Sequence, residues 1–184
     1  MANVATNVST GKPAVSGAVY RAPIGTTLPT DATTALATEF VGLGYCSDDG
    51  MTNNRDISDG SIKAWGGDTV LQYMESTDDT FQFTLIESLN VEVLKTVFGA
   101  DNVTGTLATG ITVSAGVAEV EEYIWVFDMV MRDGCLKRIV VPDACVTTIA
   151  EISYVDNEAV GYGVTLKCMS DASGYYHYEY IKSA

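Results

Sequence analysis

The side chains that could do chemistry are few and badly placed for it. The single histidine, His177, sits in Tyr175-Tyr-His-Tyr-Glu-Tyr180. A general base must lie within hydrogen-bond reach of the group it deprotonates, and no Gly-x-Ser-x-Gly elbow supplies a nucleophile. Strand alternation puts Tyr176, Tyr178 and Tyr180 on one face and His177 with Glu179 on the other, a structural or interface pattern. Cys46, Cys135, Cys145 and Cys168 are scattered. None forms a Cys-x-x-Cys pair, and one histidine does not complete a usual zinc set with them. They read as small core residues of a reducing compartment. The acidic residues between Cys46 and Asp79 invite a calcium reading, yet lack the alternating ligands and terminal Glu of an EF-hand. Gly161-Tyr-Gly163 lacks the further glycine and helix of a dinucleotide loop. The expectation is a chain with no catalytic residue, no metal and no cofactor, and not an enzyme.

Composition narrows the remaining classes. The 184 residues suit one domain with a substantial core. Apolar residues make up 47% and charged residues 18%, the latter below the ~25% of an ordinary soluble domain. Such a chain either buries an unusual share of itself or hides surface in an oligomer. The net charge of −14, from 24 acidic and 10 basic residues, argues against a nucleic-acid binder, because phosphate affinity comes from Lys and Arg releasing counterions. The start of the chain lacks the basic and apolar segments of a signal peptide, and no apolar run approaches the ~20 residues of a membrane helix. Synthesis in a cytoplasm is expected.

Residues 1–38 read as an extended arm, spaced by Pro13, Pro23 and Pro29, with Val15, Val19, Tyr20, Ile24 and Leu28 as apolar anchors. Asp31 is placed to cap a short helical turn through Ala32–Ala37. Residues 39–184 read as a single domain. Phe40–Tyr45 is its first strand, and 46–79 a polar, strand-containing loop or hairpin with apolar pins at Ile62, Trp65, Val70, Leu71 and Tyr73. Thr80–Ile86 alternates as a half-buried strand. The period then lengthens over 88–98, a helix that Ser88 or Asn90 could cap and Gly99 could stop. A short strand is expected at Ile111–Val113 and a long one, apolar on both faces, at Glu119–Met131. Leu136–Val141 should end at Pro142-Asp143, followed by strands at Val146–Tyr154, Val160–Met169 and Tyr175–Ile181. The fold class is mainly β: a β-sandwich or partly closed barrel with one flanking helix, an extended arm and a long strand-containing loop.

Four segments in this order carry a further signal. They are Ala22-Pro-Ile-Gly-Thr-Thr-Leu-Pro-Thr-Asp-Ala-Thr-Thr-Ala-Leu36, Leu43-Gly-Tyr-Cys-Ser-Asp-Asp-Gly50, Ile62-Lys-Ala-Trp-Gly-Gly67 and the strand–helix pair Phe81–Gly99. Together they resemble the major tail tube protein of long-tailed, siphovirus-type bacteriophages. The resemblance is strongest from Ala22 to Asn102. It implies a virion protein whose sheets join side by side into a hexameric ring. Rings would stack into a hollow tube with tape-measure, tail-tip and tail-terminator partners, and DNA would pass through without specific binding. On that footing Ile24, Leu28, Leu36, Trp65 and Tyr73, apolar pins in polar segments, are candidates for contacts between rings. Thr147, Glu151 and Ser153, the polar face of one expected strand, are candidates for the lumen. The competing readings are a terminator or completion protein that forms one ring, and a carbohydrate-binding adhesin sandwich, which should carry a secretion signal.

Overall fold

The computed structural model describes residues 3–14, 17–117 and 120–183; Val15 of the arm and Glu119 of the long strand lie outside them. Eleven strands and one α-helix are formed among the described residues. In chain order they are β1 (Lys12–Pro13), β2 (Val19–Pro23), β3 (Val41–Gly42), β4 (Cys46–Lys63), β5 (Thr69–Leu85), α1 (Val91–Phe98), β6 (Val103–Thr106), β7 (Gly110–Val113), β8 (Glu122–Val130), β9 (Leu136–Ile149), β10 (Tyr162–Cys168) and β11 (Tyr178–Lys182). Nine form one antiparallel sheet ordered β3-β2-β8-β9-β10-β5-β4, with β1 on β8 and β11 on β9; β6 and β7 pair separately.

The sheet curls onto itself. β9 and β10 lie between β8 and β5, so a flat sheet would hold β8 and β5 about 14 Å apart. Instead Phe81 of β5 stacks on Phe127 of β8 with ring centroids 5.3 Å apart, and Phe83 meets Phe127 and Trp125 at 5.5 and 6.0 Å. The two halves therefore face each other around one core with Leu85, Ile139, Val141, Val164 and Leu166. This is the sandwich-like member of the two expected architectures. No barrel closes, because β3 and β4 remain the two ends of the ladder.

The bend is built into β9. Its first half pairs with β11 and its second half with β10, and its ladder to β8 shifts register between Tyr123 and Trp125. Pro142 falls at that shift. A proline lacks the N–H for a regular ladder but is tolerated at a bulge, so it does not end the strand. The expected Leu136–Val141 and Val146–Tyr154 strands are instead one strand that stops at Ile149.

β8 is covered on both faces, as its two-sided apolar pattern requires: Trp125 and Phe127 face the core, and Ile124 and Val126 are buried on the other side. Residues 24–38 return across that second face. Arg138 fastens them, donating to the carbonyls of Asp31 and Thr34 (3.2 and 2.7 Å) while gripping Asp128 through Nε and Nη2 (2.7 and 2.9 Å). Asp31 accepts from the Thr33 and Thr34 backbone N–H groups, both at 2.6 Å. It organises a bend rather than the expected helical turn. The second half of the arm is thus integral to the fold: Val19, Arg21, Ala22 and Ala32 are buried.

α1 begins one turn later than 88, with the Asn90 side chain accepting from Glu92 N–H at 3.0 Å and Gly99 ending it at φ 93°. Arg21 ties β2 to this helix, reaching Glu92 at 3.1 Å with its guanidinium 4.4 Å from the Tyr123 ring centre. The first expected strand shrinks to Val41–Gly42, and Val103–Thr106 forms an unforeseen partner for β7.

Candidate functional site

The most exposed apolar surface is the outer part of the β4–β5 hairpin. β10 pairs with β5 only from Thr80 to Leu85, while β4 and β5 stay paired from Asn54–Thr80 out to Lys63–Thr69. Beyond Thr77 the hairpin is a two-stranded ribbon without a third strand, reaching roughly 30 Å at 3.3–3.4 Å per residue. The turn is closed by Ala64 N–H on Asp68 carbonyl (2.7 Å), with Gly66 and Gly67 at φ 119° and 99°, angles that favour glycine.

Alternation and two register shifts, at Ser58/Asp59 and Ile62/Lys63, set the ribbon's faces. Ile62 lies opposite Leu71 and Gly60 opposite Tyr73, so Ile62, Leu71 and Tyr73 share one face. The Tyr73 ring lies against Gly60, where an added Cβ would come within 2.6 Å of it. Ile57 and Met74 stand on the opposite face, and all five apolar side chains are exposed. Trp65 at the tip is fully exposed, at 107%. An isolated two-stranded ribbon is at best marginal in water, and this one spends its apolar side chains on solvent. Asp56, Asp59, Asp68, Glu75 and Asp78 surround them against Arg55 and Lys63.

The ribbon's base is anchored. Asp79, buried to 1%, accepts from Asn53 Nδ2 at 2.5 Å and lies 2.6 Å from His177 Nδ1. The imidazole sits edge-on to Phe81 at 5.3 Å, and Tyr176 Oη donates to the Thr77 carbonyl at 2.9 Å. The lone histidine thus holds the C-terminal segment to the hairpin base. The thiols are equally occupied with structure: burial, then the Glu87 charge, pushes Cys46 up to about 11, and burial, then Asp79, pushes Cys168 up to about 12. Such thiols stay protonated and weakly nucleophilic near neutral pH. No cluster of three or more His, Cys, Asp or Glu that could hold a metal ion occurs among the described residues.

The sequence-expected contact residues fall on two elements. Trp65 and Tyr73 belong to the ribbon; Ile24, Leu28 and Leu36 belong to the β2–β3 connection, at the other end of the strand order. Ile24 is exposed, whereas Leu28 and Leu36 are half-buried on their own chain. Ile57, Leu71 and Met74 add to the ribbon's surface. Leu71 is among the sequence's apolar pins, and alternation from Leu71 and Ile62 puts Met74 and Ile57 on the other face. The three polar candidates do not share a strand face: Thr147 is exposed on β9, but Glu151 and Ser153 lie past its end at Ile149. The last rung of the β9–β10 ladder is the Ala150 N–H on the Gly163 carbonyl, at 2.8 Å.

Among solved structures, the tube-terminating cap of the anti-feeding prophage aligns over 100% of both chains at 12% identity, with a TM-score of 0.40. No curated protein matches the chain. A family model described as phage tail tube protein matches residues 4–184, and the chain belongs to that family.

Proposed function

We propose that this tail tube protein, a structural component of the virion, polymerises as stacked hexameric rings into the hollow conduit for genome delivery. The observation that supports it most is the free β4–β5 ribbon, with Trp65, Ile62, Leu71 and Tyr73 in solvent. Exposed apolar surface of this kind marks a partner site, and ordering a marginal ribbon is favourable only when a neighbour covers it. Trp65 and Tyr73 anchor one ring on the next, with Ile24 contributing from the β2–β3 connection and Leu28 and Leu36 supporting that segment from within. Sheet edges joined between subunits satisfy backbone groups that would otherwise pair at random. The role is architectural rather than catalytic. Tape-measure, tip and terminator proteins are the other partners, met during assembly in the host cytoplasm. The charge of −14 suits a wall that DNA slides past without sticking, with Thr147 the remaining strand-borne candidate for the lumen. The test is electron microscopy of the purified chain with and without tail tips: stacked rings support the proposal, while single rings under every condition favour a terminator.

A further inference from the structure

Between the last turn of α1 and the end of β9 the surface holds an open-mouthed cavity of about 170 Å³. Val97 of the helix, Val120 before β8, and Val146 and Ile149 of β9 give it apolar walls, and Lys95 and Thr148 add polar groups. A cavity of about 150 Å³ takes a benzene ring, so there is room here for one aromatic side chain. The walls belong to the packed end of the sandwich, where Phe98 meets the Tyr162 ring edge-on at 6.1 Å. Lys95 and Glu121, the two charged residues of the lining, balance each other. Both are engaged: Lys95 donates to Glu92 at 2.9 Å, and Glu121 accepts from the Ala100 N–H at 3.0 Å and from the Tyr123 hydroxyl. The cavity is thus a neutral, apolar hollow on a chain of net charge −14.

The ribbon tip points away from this cavity on its own chain. Phe83 and Ile149 both lie opposite Val164, and Thr80 and Cys145 both lie opposite Lys167. The path from Phe83 through Thr80 toward the tip therefore runs away from Ile149. Trp65 and the cavity stand at opposite ends of the strand ladder.

We infer that the cavity is the receptor for Trp65 of a second copy of this chain. The inference rests on the tube reading above and names the surface on which the ribbon lands. Trp65 is the most exposed aromatic side chain among the described residues, and the cavity is sized for one such ring. A tryptophan seated in a pocket is the usual form of an interface hot spot. The acidic flanks of the ribbon, Asp56, Asp59, Asp68 and Glu75, meet no net negative charge in the lining, so this landing place avoids the like-charge repulsion that acidic surface elsewhere would impose. Tip and cavity are different patches at opposite ends, so the contact is head-to-tail. Each added copy then leaves one tip and one cavity unfilled, the open-ended association that stacking requires.

The test fills the cavity in the full-length chain. Thr148→Trp acts from an exposed position. Urea unfolding of the dilute chain should be unchanged, while the critical concentration for polymerisation should rise at least about tenfold, as when a hot spot is blocked. Val120→Trp, also from an exposed position, should do the same from the β8 side. A double-mutant cycle supplies a readout that a general loss of surface fit would not move. With Trp65→Ala already present, Thr148→Trp should add little, because the occupant is gone. An unchanged critical concentration in both filled variants, or effects that add in full to that of Trp65→Ala, would overturn the receptor while leaving the tube reading intact. Failure of the unaltered chain to form tubes, even with tail tips, would overturn the tube reading and the receptor with it.

Discussion

Replacing Trp65 with alanine should separate assembly from folding. The indole is fully exposed in the single chain, so truncation removes no buried area there. The expected change in folding free energy lies within about 0.5 kcal/mol, as for surface positions generally. If a neighbouring ring covers the side chain, about 150–250 Å² leaves water, a ceiling of about 4–6 kcal/mol at 25 cal/mol per Å². Ordering and imperfect fit reduce this, and interface tryptophans typically register about 2–4 kcal/mol on truncation. At 1.4 kcal/mol per decade, the critical concentration for polymerisation should rise at least about thirtyfold. Urea unfolding of the dilute chain gives the first quantity. Sedimentation of tubes against total concentration gives the second, and Trp65→Phe should fall between. An unchanged critical concentration would refute a buried ring-to-ring role for Trp65. A clear loss of folding stability would refute the free ribbon.

Four further outcomes are expected. Arg138→Leu leaves the half-buried Asp128 carboxylate unpaired and frees the Asp31–Thr34 bend, so urea unfolding should show a loss of about 1–3 kcal/mol. Phe81→Ala, which empties the stacked centre of the curled sheet, should cost about 3–5 kcal/mol in the same assay. Asp143→Asn should raise thermal stability at neutral pH: burial, then the Glu122 charge, pushes the Asp143 carboxyl up, and its Oδ1 is buried without a partner. A raised carboxyl pKa disfavours the ionised form in the fold, so the gain should vanish below the ordinary aspartate pKa of about 3.9, where both states are neutral. Asp31 and Asp171 have the opposite sign. The Thr34 hydroxyl and the Thr33 and Thr34 N–H groups hold Asp31 low, and the Tyr178 hydroxyl and Tyr175 N–H hold Asp171 low. Their contribution is full above the ordinary value and is lost as pH falls through their lower folded values, so a melting series from pH 5 downward should decline and flatten in Asp31→Asn.

Much of the architecture was legible because it is written in local periodicity. Phe81, Phe83 and Leu85 announce a strand with one buried face, Trp125 and Phe127 against Ile124 and Val126 a strand covered twice, and Asn90 with Gly99 the limits of the helix. What sequence concealed was non-local. Pro142 looks like a strand end and is instead the bulge on which β9 bends, because the ladder needs no N–H there. Residues 46–79 read as a strand-containing loop or hairpin and do form the β4–β5 hairpin, but the length of its strands was hidden, since a ribbon exposed on both faces has no apolar alternation to display. The burial of Arg21 and the clamp of Arg138 depend on partners 71 and about 100 residues away in sequence, which no spacing rule reaches. At the candidate interface, Trp65 and Tyr73 were visible as apolar pins among acidic residues. Ile57 and Met74 were not, because their exposure follows only once the β4–β5 pairing is known. The strand face expected for Thr147, Glu151 and Ser153 does not form because β9 ends at Ile149, short of the last two.

The most direct measurement is negative-stain electron microscopy of the purified full-length chain, concentrated and supplied with tail tips as nucleating ends. Hollow tubes of regularly stacked rings are expected, with sixfold symmetry in end-on views. Rings that never stack, or particles that remain single chains beside competent tips, would contradict self-assembly through the β4–β5 ribbon.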